Sequence, residues 1–283
     1  MTRTPRQSST IKFIGIVALL LFAVLWSYLT RPAEAAPLPD ADIDTAPLLT
    51  AALPQSTPSQ TLDYEGFTLS YNPSHRLPNY VAWELTPSEA TADQASRKSQ
   101  KFRPDKRAEN SPTTTDYTGS GYARGHMCPA ADLKWSSQAM YDSFYMTNVC
   151  PQDTRLNGGA WGKLEQKCRE WARRDSSLII IAGPVLADRI TAHIGPDSDI
   201  SVPQRFFKIV YAPYARPPRA IAFIFPNTRP DGGFMQYATT VDDAEAITGL
   251  DFLAALPDSI EAPLEAQADI LLWTKTTPTK NKR

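Results

Sequence analysis

His126, Asn157 and Glu165 are the residues of this 283-residue chain whose types and order could do chemistry. The chain holds three histidines, and His126 stands in YARGHMCPAADLKW, behind an arginine and a glycine. A neutral imidazole near pH 7 can take a proton from an attacking water. Asn157, in LNGGAWGKLE, stands where a helical pattern begins. Backbone N–H groups at a helix start favour an anion, and an amide oxygen suits a hard divalent cation. Asparagine also caps helices well, and a cap side chain points outward, so the two roles are compatible. A small hard cation needs few protein oxygens when a phosphate supplies another, and it can stabilise the leaving oxygen. Glu165 follows Asn157 by eight residues, which on a regular helix is about 12 Å along the axis and about 80° around it. Both cannot grip one small ion unless the first turn is irregular, so Glu165 is expected to hold a metal-bound water or to fix a neighbour. Pairing with Lys167 or Arg169 on the surface is the structural alternative.

These residues need elements to position them. Tyr122–Met127 reads as a strand carrying His126, entered through Thr118-Gly119-Ser120-Gly121, and Phe144–Val149 reads as a second strand. From Ala160 to Arg174 the period changes. Ala160, Trp161, Leu164, Cys168, Trp171 and Ala172 recur at three- and four-residue intervals, the stripe of an amphipathic helix. Trp161 and Trp171 on that stripe are expected in the core. Further strands are predicted at Phe67–Tyr71, Tyr80–Leu85, Phe206–Tyr211 and Ala220–Phe225. Leu178–Ala182 is fully apolar and stops at Gly183-Pro184, as a buried strand would. Asp243–Thr248 and Phe252–Leu256 read as short helices. The expectation is an α+β domain with a mixed central sheet over residues 63–275. Residues 36–62, rich in Pro, Ala, Ser and Thr, read as a linker, and 276–283 as a basic tail. His75 and His193 fall beside turns and are expected to be loop residues.

Net charge is −1, but it is unevenly placed. Residues 97–174 hold 14 Lys and Arg against 8 Asp and Glu, a local +6 that leaves −7 elsewhere. A basic segment in an acidic chain suits an anionic ligand such as nucleic acid. A solvated helix face is the bland alternative for the charges at helical spacing. At the N-terminus, Arg3, Arg6 and Lys12 precede an uncharged run of 17 residues, Phe13–Leu29, followed by Ala33-Glu34-Ala35. Residues 1–35 are a cleaved signal peptide or a retained membrane anchor. The first makes the domain periplasmic or secreted. The second leaves it membrane-anchored on the non-cytoplasmic side. Cys128, Cys150 and Cys168 show no C-x-x-C spacing, which argues against a zinc site. One bridge, Cys128 to Cys150, or three buried thiols are the open alternatives.

GYARGHMCPAADLKW, FYMTNVCPQ and LNGGAWGKLE, in that order, resemble the DNA/RNA non-specific endonuclease family of the ββα-metal (His-Me finger) superfamily. VPQRFFKIVYA and AIAFIFPN extend the likeness, which covers about 63–256. The resemblance implies a ββα-metal catalytic motif and a hydrolase that cuts DNA and RNA with little sequence preference, using Mg2+ or Mn2+. His126 would be the general base, Asn157 the metal ligand and Glu165 the acidic residue near the metal water. Arg124 would contact phosphate, Asn148 would lie at the substrate, and Arg103 in KFRPD would serve as the upstream arginine. The partners implied are DNA and RNA, held by the phosphate backbone. The family pattern D-R-G-H carries an aspartate where this chain has Ala123. Ala123 suggests one rival reading, a catalytically impaired nucleic-acid-binding module; a phosphodiesterase acting on small phosphoesters or lipids is the second.

Overall fold

The computed structural model describes residues 45–197 and 199–274. The expected signal or anchor (1–35) and basic tail (276–283) lie outside them. The chain enters through a 3₁₀ turn at Ala46–Leu49, then strands β1 (Ala51–Ala52), β2 (Gln60–Tyr64), β3 (Phe67–Asn72) and β4 (Leu77–Leu85). Next come β5 (Ala123–His126), helix α1 (Ser137–Asp142) and β6 (Val149–Gln152). A short helix α2 (Thr154–Leu156) leads into the long helix α3 (Gly162–Asp175). Strands β7 (Leu178–Pro184), β8 (His193–Ile194), β9 (Ile200–Ser201), β10 (Arg205–Ala212), β11 (Arg219–Pro226) and β12 (Ala238–Thr239) follow. Helix α4 (Val241–Thr248), β13 (Asp251–Phe252), α5 (Asp258–Glu265) and α6 (Ile270–Thr274) complete the described chain.

Seven strands make one sheet in the order β12-β11-β10-β7-β4-β3-β2. The α+β class holds, but every pairing in this sheet is antiparallel where a mixed sheet was expected. All seven residues of β7 are buried because the sheet is covered on both faces. Leu178, Ile180 and Ala182 point into one core, with Trp83, Phe206 and Phe223 and with the α3 residues Leu164 and Trp171. Ile179 and Ile181 point into the other, with Tyr80, Ile209, Val241 and Ala244. Two-sided burial is why this strand reads as a continuous apolar run rather than as an alternation. The α3 stripe is core as expected, with Trp161 0% and Trp171 1% exposed.

Three local expectations change. Residues 46–62 are not wholly a linker, since Leu48, Ala51 and Leu62 are buried and β2 edges the main sheet. Phe144–Val149 is not a strand: Tyr145 makes one isolated bridge to Arg103, Met146–Asn148 is a 3₁₀ turn, and the pairing with β5 starts at Val149. The Asn148 amide bends the chain there by bonding the peptide groups of Cys128 and Ser143. Phe252–Leu256 is not a helix, because Leu253 takes φ 57° and Phe252 pairs with Ala51 instead.

Candidate active site

Strands β5 and β6 pair antiparallel, with His126 opposite Val149 and Gly125 opposite Cys150. The chain then turns at Asp153 into α2 and α3, so two strands and a helix are laid against one face of the large sheet. Gly125 has a steric reason to lie between Arg124 and His126. A Cβ there would stand 2.7 Å from Gln152 Cβ and would also meet Gln152 Oε1, so a side chain would push β5 off β6.

The His126 ring packs between Phe102 and Phe144, with both centroids 5.0 Å away. The residue is 9% exposed, and its Nε2 is buried without a hydrogen-bond partner. Burial first, and then the positive charge of Arg97, push the imidazole down to about 3. His126 is therefore neutral near pH 7, as a proton acceptor must be. Arg97 is exposed, and its guanidinium lies 5.8 Å from the centroid of the Phe144 ring that backs His126. Sequence reading missed it, because SRKSQKFRPD offers several cations and only the fold shows which one His126 feels.

Asn157 does not cap a helix. Asp153 is the cap, its Oδ1 accepting from Arg155 N at 2.7 Å and Leu156 N at 3.3 Å. Asn157 instead starts a π-type turn, Asn157–Trp161, in which Gly159 leaves helical geometry (φ −105°, ψ −112°). This is the irregular first turn that lets the regular-helix spacing of Asn157 and Glu165 be broken, and wide turns of this kind recur at functional sites. The half-buried Asn157 side chain makes no hydrogen bond among the described residues, so its amide oxygen is available.

Glu165 is half-buried as a residue, but protein closes around its carboxyl group. Burial pushes that group up to about 7, opposed by the charge of Lys208 and reinforced by Asp132. The Trp161 indole also favours its ionised form, although the Trp161 N–H makes no well-formed hydrogen bond. Lys208 itself is fully buried and lacks a hydrogen-bond partner, its Nζ lying 4.2 Å from a Trp161 ring centroid and 5.1 Å from Trp83. The alternative, a surface pairing of Glu165 with Lys167 or Arg169, does not form. Lys167 bonds Glu170 at 2.8 Å, and Arg169 bonds the buried Asp132 at 2.7 Å. The Asn157 amide oxygen is a hard donor of the type a small divalent cation takes while keeping most of its waters.

The remaining expected residues are placed differently. Arg124 NH2 donates to Thr114 O at 2.7 Å, and its buried Nε has no partner. Asn148, expected at the substrate, is engaged by the protein itself. It is fully buried, and its amide is engaged at Cys128 N, Cys128 O and Ser143 O, so it pins the turn beside His126. Arg103 stacks 3.5 Å from the Tyr141 ring centroid and bonds Tyr141 O and Gln100. With Arg107 and Tyr145 it lines a basic, aromatic pocket of about 440 Å³. His75 bonds Ser201 at 2.9 Å. The three cysteines are buried free thiols, so the bridge between Cys128 and Cys150 is not made.

Residues 44–259 match the DNA/RNA non-specific endonuclease family. The chain belongs to that family. The mitochondrial nuclease EXOG of Xenopus laevis is 32% identical over 249 residues, covering 83% of this chain and 68% of the relative. EXOG of Danio rerio is 36% identical over 221 residues, 72% of this chain and 63% of the relative. The mitochondrial nuclease of Saccharomyces cerevisiae is 34% identical over 216 residues, 69% and 66%. The chain thus spans about two thirds of the length of these relatives. A crystal structure of an EndoG/EndoGI complex shares the endonuclease-family fold at TM-score 0.65 and 24% identity, covering 70% of this chain and 86% of that one.

Proposed function

We propose that this member of the endonuclease family hydrolyses phosphodiester bonds in DNA and RNA with little sequence preference, with the help of a divalent cation. The observation that carries the reading is His126, held neutral and unpartnered on β5 and followed in chain order by the free amide of Asn157 and the desolvated carboxylate of Glu165. His126 takes the proton of the attacking water. Phe102 and Phe144 fix its ring and keep bulk water from it. Mg2+ or Mn2+ held at Asn157 would supply charge stabilisation at the scissile phosphate. Glu165 orients water on that side, and Arg97 adds positive charge near His126. Backbone phosphates are alike in every sequence, so binding through them carries no sequence information.

Among the described residues no helix is long and apolar enough to cross a membrane. The Phe13–Leu29 run supports export, with the domain periplasmic or secreted if the leader is cleaved, or anchored outside the cytoplasm if it is retained. Digestion of plasmid and RNA by the full chain, with and without chelator, tests the activity. Cleavage that needs Mg2+ and His126 supports the reading. Binding without cleavage favours the impaired module raised by Ala123. Preference for small phosphodiesters over nucleic acid favours the third reading.

A further inference from the structure

On the sheet face opposite α3, Asp242, Glu245 and Glu265 bring carboxylate oxygens within 4.8 Å of one another. Asp242 and Glu245 stand one turn apart on α4, and Glu265 ends α5. Val241 and Ala244 of the same α4 turn pack into the core that contains Ile179 and Ile181, which separates this cluster from His126 by the thickness of the sheet. Three acids together are ordinary when they are solvated, but Glu265 is not. It is 7% exposed, and its Oε1 is buried with no hydrogen-bond partner. Glu245 Oε1 accepts from Phe252 N at 2.7 Å, which fixes that carboxylate at the mouth of the cluster. No arginine or lysine occurs between residues 240 and 270, a stretch with eight acids, and none of the three forms an ion pair among the described residues. Among the described residues, then, no cation pairs with the cluster.

We propose that Asp242, Glu245 and Glu265 bind a hard divalent cation, Ca2+ by size and ligand type, which clamps α5 onto α4. Carboxylates up to 4.8 Å apart can share an ion whose oxygen contacts run about 2.3–2.6 Å, and Ca2+ accepts the irregular geometry that Mg2+ resists. The alternative is a protonated Glu265. Burial and the neighbouring carboxylates, Glu245 first, push its carboxyl group up to about 8. Ca2+ would reverse that by favouring the ionised form. The clamp is structural and independent of the nuclease reading.

Calorimetric Ca2+ titration of the full chain, with Tm measured in Ca2+ and in EDTA, tests it. Asp242→Asn is the main variant, because Asp242 is exposed and its loss does not open the core. It is expected to remove one Ca2+ from the binding count, to weaken that site at least tenfold and to abolish most of the Ca2+-dependent rise in Tm. Asn157→Ala should keep that rise, and Asp242→Asn should digest plasmid in Mg2+ within twofold of the parent. An unchanged Ca2+ count and Kd in Asp242→Asn overturns the site. So does a Glu265→Gln variant whose Tm rises equally in Ca2+ and in EDTA, since that is the behaviour of a buried acid that was merely protonated.

Discussion

The neutrality of His126 can be measured as stability. The folded ring titrates at about 3 against the ordinary 6.5. Between those values the unfolded chain takes up a proton that the folded chain refuses. Stability from this group is therefore intact above pH 6.5, falls as the pH drops below it, and levels off below pH 3. At pH 4 the difference between the two titrations amounts to about 3 kcal/mol relative to pH 7. His126→Asn removes this titration while leaving every carboxylate in place, including Asp105, Asp153 and Asp243, whose own lowered values make acid costly. Their contributions appear in parent and variant alike and cancel in the difference. The assay is urea unfolding in EDTA at pH 7 and pH 4. The parent should lose about 3 kcal/mol more than His126→Asn on acidification. Equal losses, within about 1 kcal/mol, would mean that the ring is solvated and protonates freely, and the buried-base argument would fail.

In plasmid digestion, His126→Ala should lower turnover by roughly 10²–10⁴ with the fold intact, and a variant within threefold of the parent would remove the imidazole from the mechanism. Asn157→Ala should shift the Mg2+ titration of activity to higher concentration; an unchanged titration counts against the amide as ligand. Arg97→Ala should raise KM for long DNA and flatten its dependence on salt, whereas Arg103→Ala should do less, because Arg103 is tied to Tyr141 and Gln100. Arg169→Met should cost about 3 kcal/mol in urea unfolding at pH 7, since it strands the buried Asp132 carboxylate with only the Trp83 N–H as partner.

Much of this protein was legible in its order of residues. The apolar runs Leu178–Ala182 and Ala220–Phe225, the α3 stripe and the strand Tyr80–Leu85 announce themselves because burial imposes a pattern. The sequence His126, Asn157, Glu165 announces a site because few residue types can abstract a proton or hold a hard cation. What failed was local and had a tertiary cause. Phe144–Val149 has a strand's alternation, yet the Asn148 amide reaches Cys128, twenty residues away, and bends it into a turn. Residues 46–62 look like a linker, yet Leu48 and Ala51 find a core that only the folded sheet supplies. Arg97 rather than Arg103 bears on His126 because distance through space, not position in the chain, sets an electrostatic effect. The sequence by itself determined the chemistry available and most of the elements, since side-chain type and periodicity are local properties. Only the tertiary structure decided which groups lose their water, and with it the neutral state of His126, the raised carboxyl of Glu165 and the clustered acids around Glu265.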